Sequence, residues 1–519
     1  MNQVWNIFRK DVRHHWPEIA ASLALLAGFA WLDARSWSRV DSWAVGATGL
    51  AAFFSAEMLP ALVRPLLLLS WIFLIVRVIQ EESLVGDRQF WVTRPYEWKR
   101  LLAAKVLFVL AFINLPLLCV NSFLLALAGF PPTHYVVGLL WMQLLWILVL
   151  FVSIAALASV TRNIPQMLLA VLLVVLYVIG SSALSSIIRK SGFSGSFELS
   201  WGLLVIGTAA TTILIQYSRR RTALSRWLIV GVCVLLTVIS LATPVVVPDR
   251  RMITHEYPVS TRTLPVELEL IRPERSQGSL SPAYNGEVSI NIPVSVAGIP
   301  KDSFLKMDGM IVTLTNANGF SWDSGWKGNA LSFFPDQKTS HIVFQVKQNI
   351  FDQINAGPVN VRLLLAFTRY SNRNQRQFVV PSGEFRLPDI GLCSTESQYS
   401  RGIRCLAPLR RPTYLLVTSE TAASTCPLGS AETPPRGEFA RASVQGMPGP
   451  AEIGFSPVVQ VGVDLSNWDW FAGRNVNPGV CPGTPITLSN PEVAGRAALE
   501  VQFENLSLED FRERLPLGR

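Results

Sequence analysis

Glu81, Glu82, Asp87 and Glu97 are interleaved with Arg88, Arg94, Lys99, Arg100 and Lys105 in the stretch EESLVGDRQFWVTRPYEWKRLLAAK, residues 81–105. Phe90, Trp91, Tyr96 and Trp98 stand among these charges. The chemistry such a set offers is recognition. Carboxylates and guanidinium groups pair with the charges of a partner, and Trp and Tyr rings settle between an apolar and a wet phase. The stretch is too charged to cross a bilayer. Two readings are open: a loop joining two spans, and a short amphipathic element presented to a partner.

Bond-making chemistry finds little support elsewhere in the chain. No G-x-x-x-x-G-K-[ST] phosphate loop and no G-x-S-x-G elbow occurs. The second half contains His255 and His341 with no H-x-x-x-H or Cys/His cluster, so no metal or other cofactor is expected. Glu267 and Glu269 alternate along a strand-like run and read as a solvated face. Four cysteines, Cys393, Cys405, Cys426 and Cys481, fall late in the chain, while Cys119 and Cys233 lie in apolar runs. An even number suits a disulfide-permissive compartment. Of the three pairings, Cys393–Cys405 with Cys426–Cys481 is favoured.

These groups must be carried by a membrane region and a strand-rich region. Of 519 residues, 50% are hydrophobic and mean hydropathy is +0.35, so part of the chain lies in a bilayer. Residues 1–248 hold 19 Lys and Arg against 10 Asp and Glu, whereas residues 249–519 hold 26 of each. The net charge of +9 therefore belongs to the first half, where it reports topology; no basic stripe points to nucleic acid.

Seven spans are predicted: Ile19–Leu32, Ala61–Ile79, Leu101–Ala128, Val136–Val160, Ile164–Ile187, Trp201–Tyr217 and Trp227–Val247. The first follows a basic start (Arg9, Lys10, Arg13) and lacks a clean cleavage site, so it is read as uncleaved. Residues 42–60 fit either an interfacial helix or a poor span. Glu57 and Arg64, seven apart, are expected to pair if Pro60 leaves the helix intact. The third run is about 42 Å long as a helix and must tilt, kink at Pro116 or start outside the hydrocarbon. Asn114 and Asn121 share a face of it. They line a polar path or hydrogen-bond between helices. With the N-terminus in the cytoplasm, the inner flanks of the spans carry fourteen Lys and Arg against five outside. That satisfies the positive-inside rule and puts everything after Val247 outside the cell membrane, where disulfides persist.

Beyond Pro248 the period changes to two. Val266–Leu270, Val288–Val296, Val359–Phe367 and Ala497–Phe503 alternate apolar with polar, except that Leu364 and Ala366 make one run apolar on both faces. Asn285–Gly286 and Asn316–Gly319 are turn signals. Pro293 suggests an edge strand, and Pro427–Pro450 reads as a long exposed loop. The fold class expected is an α-helical polytopic membrane domain (1–248) followed by an all-β, sandwich-like extracytoplasmic domain (249–519), with room for two subdomains.

The basic entry Arg9-Lys10-Asp11, the Trp16-Pro17-Glu18 that follows, and the 81–105 stretch give residues 1–220 a resemblance to the bacterial ABC-2 type transporter permease family. The resemblance implies a coupling helix at this stretch that docks on a separate ABC ATPase subunit, with Glu81, Glu82, Asp87, Arg88, Trp91 and Arg94 as the docking positions. It implies a homo- or heterodimer of permease subunits held in membrane lipid, with ATP hydrolysis in the partner and none in this chain. The seventh span and the large outer domain depart from the usual six-span plan. A membrane-anchored receptor or envelope-assembly module, whose β-domain binds a ligand or partner, is the competing reading.

Overall fold

The computed structural model describes residues 2–37, 58–81, 97–188, 197–246, 249–259, 266–272, 278–280, 286–328, 331–335, 338–371, 375–379, 381, 383–387, 391–395, 402–408, 415–419, 439–443, 454–464, 468–469, 474–475, 485–489, 491–512 and 514–516. Seven helices among them are long and apolar enough to cross a membrane: Trp16–Arg35, Leu62–Gln80, Trp98–Leu127, Pro132–Val160, Ile164–Ser181, Trp201–Arg219 and Thr222–Ile239. This is a multi-pass membrane protein. The seven correspond to the seven expected runs; most of 42–60 lies outside the described residues, although Met58–Pro60 open the Met58–Gln80 helix.

The third span departs from α-helical geometry just where its sequence predicts a disturbance. Pro116 lacks an N–H and its ring crowds the carbonyl four residues earlier. Residues Leu110–Asn114 widen into a π-helical turn just ahead of it. A second π segment, Trp146–Phe151, interrupts the fourth span. Arg64 pairs with Asp33 at 3.0 Å, tying the second span to the first; its expected partner Glu57 lies outside the described residues. One core joins the first four spans, with Phe29, Leu67, Trp71, Leu74, Phe108 and Leu117 fully buried.

Beyond Glu256 the described elements are antiparallel strands, apart from one short helix (Gln348–Ile354) and a 3-10 turn. A three-stranded sheet runs Glu267–Leu270, Glu287–Ala297, Thr339–Lys347. It packs on a larger sheet ordered Glu492–Leu506, Val359–Ser371, Ser303–Asn316, Ser321–Gly328. Alternation accounts for the shared core: Val288, Ile290, Ile292 and Val294 from one sheet meet Val312, Leu314, Val361 and Leu363 from the other. The NANG turn closes as its residues predict, with Asn316 Oδ1 accepting from the N–H of Asn318 and of Phe320.

Two expectations are corrected. Pro293 lies in the central strand of the three-stranded sheet, paired with His341. The neighbouring strand ends at Leu270, and Ile271 N–H donates to Pro293 O, so the missing proline donor falls where the ladder stops. The Pro427–Pro450 stretch is not all loop, since Phe439–Ser443 pairs with Leu415–Ser419.

The doubly apolar run containing Leu364 and Ala366 also has its cause. The short helix Asp249–Glu256, directly after the last membrane helix, covers the second face of the larger sheet with Ile253, joined by Tyr257 just past its end. Tyr257 O–H donates to Asp308, which Thr368 also reaches, and Arg496 pairs with Glu256 at 2.7 Å. Burial, then the Asp308 carboxylate, push the Tyr257 phenol up. At the bulge between Met307 and Gly309 the Trp326 ring lies against the backbone; a Cβ on Gly309 would be 2.3 Å from it and 2.7 Å from Lys327 O. Gly309→Ala is expected to destabilise this region by about 1–3 kcal/mol through overpacking, read as a lower midpoint in thermal unfolding.

Candidate functional site

The N-terminal helix Asn2–His14 runs almost without a break into the first membrane helix, Trp16–Trp37. His15 N–H donates to Asp11 O and Ile19 N–H to His15 O, so the backbone bonds continue across the joint. Pro17 suits the first turn of the second helix, where an N–H would be unpaired in any case. Arg13 and His14 complement the negative end of the N-terminal helix. Ile7 and Asp11 are buried against the third span, while Trp5 is exposed and stacks on Phe8.

Asp11 accepts from Lys105 Nζ at 2.8 Å, and both residues are almost wholly buried. Burial raises the Asp11 carboxyl against the pull of the Lys105 ammonium. One helical turn on, Glu81 closes a partly buried network. Its Oε1 lies 3.3 Å from Lys10 Nζ and its Oε2 3.1 Å from His15 Nε2. Glu18 stands between His15 at 3.8 Å and Arg77 at 3.9 Å. Arg100 joins the helix start through Glu97 at 2.9 Å and Gln3 at 3.0 Å. Gln80 donates to Thr161 at the same end of the fourth span. The end of the bundle that carries the 81–105 stretch is therefore wired to the N-terminal helix and to the first three spans.

Of the expected docking positions, Glu81 is described and sits in this network. Glu82, Asp87, Arg88, Trp91 and Arg94 lie outside the described residues. His14, His15 and Glu81 also bring one ligand atom each within 4.8 Å of one another. The Lys10 ammonium already balances the Glu81 carboxylate, so the arrangement acts as an ionic clamp.

The His15 hydrogen bond, aided by Lys10 and Lys105 and opposed by burial, lowers the Glu81 carboxyl to about 2. Its folded value is depressed, so its contribution is complete above the ordinary carboxylate range and is lost as pH falls from there toward 2. Hydrogen exchange in residues 2–14, taken relative to the intrinsic rate at each pH, is expected to stay slow from neutrality to about pH 4.5 and to accelerate below it. In Glu81→Gln that acceleration is blunted.

Within the spans, Asn114 Nδ2 donates to Gln143 Oε1 at 3.1 Å, both residues buried. The interhelical bond expected of Asn114 is made to Gln143 on the fourth span. Asn121 is also fully buried, and neither of its amide atoms has a hydrogen-bond partner among the described residues. In the strand region Cys393 and Cys405 are joined, from directly opposed positions on Gly391–Thr395 and Gly402–Pro408. Cys426 and Cys481 lie outside the described residues. Reduction of Cys393–Cys405 is expected to cost about 2–3 kcal/mol, the worth of closing so short a loop, seen as a reductant-dependent fall in the unfolding midpoint.

No family model matches this chain, and no curated protein does. Among solved structures, red sea bream transglutaminase is 12% identical with a TM-score of 0.14, over 46% of this chain and 31% of that one. The chain thus spans about a third of the transglutaminase. Pseudomonas fluorescens alkylpurine DNA glycosylase AlkC, bound to DNA containing an abasic site analog, is 11% identical with a TM-score of 0.15, over 66% of this chain and 94% of that one. Superpositions this loose carry no argument about fold or activity.

Proposed function

We propose that the chain is the membrane-spanning subunit of an ATP-binding cassette transporter, driven by a separate ATPase that docks on residues 81–105. The observation that carries this reading is the clamp at Glu81. The stretch leaves the second span through a carboxylate held by Lys10 and His15 and re-enters the third span beside the buried Asp11–Lys105 pair. A push on the stretch reaches the N-terminal helix and the first three spans together, through side chains that have discrete partners to exchange. Glu82, Asp87, Arg88, Trp91 and Arg94 complete the docking face in this reading. The N-terminus and the 81–105 stretch face the cytoplasm and the strand region lies outside. The skew of Lys and Arg and the Cys393–Cys405 disulfide support that orientation. Subunits of this kind work in pairs, so a homo- or heterodimer is part of the proposal.

The test is charge reversal. Glu82→Lys or Asp87→Lys is expected to abolish association with the ATPase while membrane insertion stays normal. Association that survives both changes sinks the docking assignment.

A further inference from the structure

The strand region meets the helices at two places. One is shallow: Leu406 and Val458 pack on Leu125, Ala128 and Phe130 at the end of the third span. The other is deep. Gly454 and Phe455, just ahead of the strand Val458–Asp464, enter the helical bundle itself. The Phe455 ring centroid lies 4.8 Å from that of Trp146, 5.7 Å from Trp71 and 5.8 Å from Phe29. Trp146 Nε1–H donates to Gly454 O at 3.3 Å. Trp71 and Trp146 are the middle residues of the spans Leu62–Gln80 and Pro132–Val160. A segment of the β region therefore reaches half-way down the helices.

Anchoring alone does not require that depth, because the shallow contact already joins the two regions. Polar backbone is costly at mid-span unless it is bonded within the protein, and here one indole N–H meets one carbonyl. The Trp146–Phe151 π segment begins at that indole, and such distortions are frequent at functional sites. Buried amides lie nearby in the chain's helices: Gln143 on the fourth span with Trp146, and Asn114 and Asn121 on the third. Gln143, one turn from Trp146, leaves Nε2 without a partner; Asn114 Oδ1 and both amide atoms of Asn121 are also unbonded among the described residues. Buried polar groups left in this state call for an explanation. A ligand carrying its own donors and acceptors supplies one.

We propose that Phe29, Trp71 and Trp146 form a binding cage for an amphiphile that presents a carbonyl beside a bulky apolar group, as an acylated or peptidic molecule does, and that Phe455 occupies it as a built-in stand-in. The ligand's apolar group takes the place of the Phe455 ring, and its carbonyl takes the Trp146 N–H from Gly454. The unbonded amide atoms of Gln143, one turn from Trp146, and of its partner Asn114 meet the polar remainder. Entry requires the 454–455 segment to withdraw, so occupation of the cage and docking of that segment exclude each other. This deepens the transport reading by giving the cargo's chemical class, and it rests on that reading only in calling the ligand a cargo.

The test uses the full chain in lipid nanodiscs, hydroxyl-radical oxidation read by mass spectrometry at Trp71 and Trp146, and N-acetyl-Gly-Phe-amide as probe. In Phe455→Ala, oxidation of both indoles is expected to rise several-fold, with Trp326, buried beneath the Asp249–Glu256 helix, unchanged. The probe at millimolar concentration is expected to restore protection. Trp146→Phe in the same background weakens that restoration by about 3- to 10-fold, the worth of one hydrogen bond. Equal oxidation with Phe455 or Ala, or no protection by the probe, overturns the proposal. Should the alanine variant loosen the fold, with Trp326 oxidised as well, a photoreactive benzoylphenylalanine placed at 455 decides instead. Its cross-link to the Trp146 peptide must form and must fade as probe is added; a cross-link that is absent or indifferent to probe overturns the proposal. Neither arm involves an ATPase, so failure here is distinct from failure of the transport reading.

Discussion

Lys105→Met is expected to destabilise the helical region by about 3–5 kcal/mol, the usual cost of removing one member of a buried ion pair. Asp11 and Lys105 are almost wholly buried, and their 2.8 Å bond joins the N-terminal helix to the third span. Without the ammonium, Asp11 must remain charged in an apolar setting or take up a proton. Burial already raises its carboxyl with Lys105 present, and without it only the weaker pull of Lys10 opposes the rise. The sign follows by linkage: a carboxyl raised above its unfolded value stabilises the fold when protonated, so the variant regains stability as pH falls. The double change Asp11→Asn with Lys105→Met removes both charges and is expected to recover most of the loss. Titrated unfolding in detergent measures the energies, and hydrogen exchange in residues 2–14 locates them. A single variant as stable as the parent would mean that the pair is not a structural tie.

Gly391→Ala is expected to cost about 2–5 kcal/mol, from backbone strain and overpacking together. Gly391 has φ +130°, a conformation side chains rarely adopt. A Cβ there would lie 2.1 Å from Leu406 O and 2.4 Å from the Phe130 ring. Neither neighbour has a free direction in which to give, for Leu406 belongs to the paired strand Gly402–Pro408 and Phe130 is packed on Leu406 and Val458. The added methyl therefore pries the strand region from the end of the third span. Hydrogen exchange around Phe130 should quicken while the sandwich core around Leu363 stays protected. Loss of protection in both would show that the contact belongs to one cooperative unit.

Periodicity made the gross plan legible. Seven apolar runs became seven helices, and alternation at Val288–Val296 and Val359–Phe367 became the facing strands of a packed pair of sheets. Even the irregular run at Leu364 and Ala366 was a true signal, of a helix lying on the outer face. What stayed hidden depends on contacts between segments far apart. Asp11 and Lys105 are 94 residues apart, and nothing local tells a lysine at the end of a span that its partner lies in the first helix. Basic residues ahead of an apolar run resemble the start of a signal peptide, which obscured the Asn2–His14 helix and its clamp on Glu81. Gln143 is one polar residue in an apolar run and gains meaning only opposite Asn114. Phe455 carries no sequence signal beyond its own apolar ring. Pro293 misled because a missing N–H matters only where a neighbour continues, and here the neighbouring strand ends.

The most direct test of the central claim is isolation of the protein from native membranes in mild detergent, with stoichiometry of its companions measured by mass spectrometry. A phosphate-loop ATPase is expected in near-equal amount, lost when the charges of residues 81–94 are reversed. A preparation free of any ATPase, from cells that express one, would contradict that claim and move attention to the strand region as a receptor or assembly module.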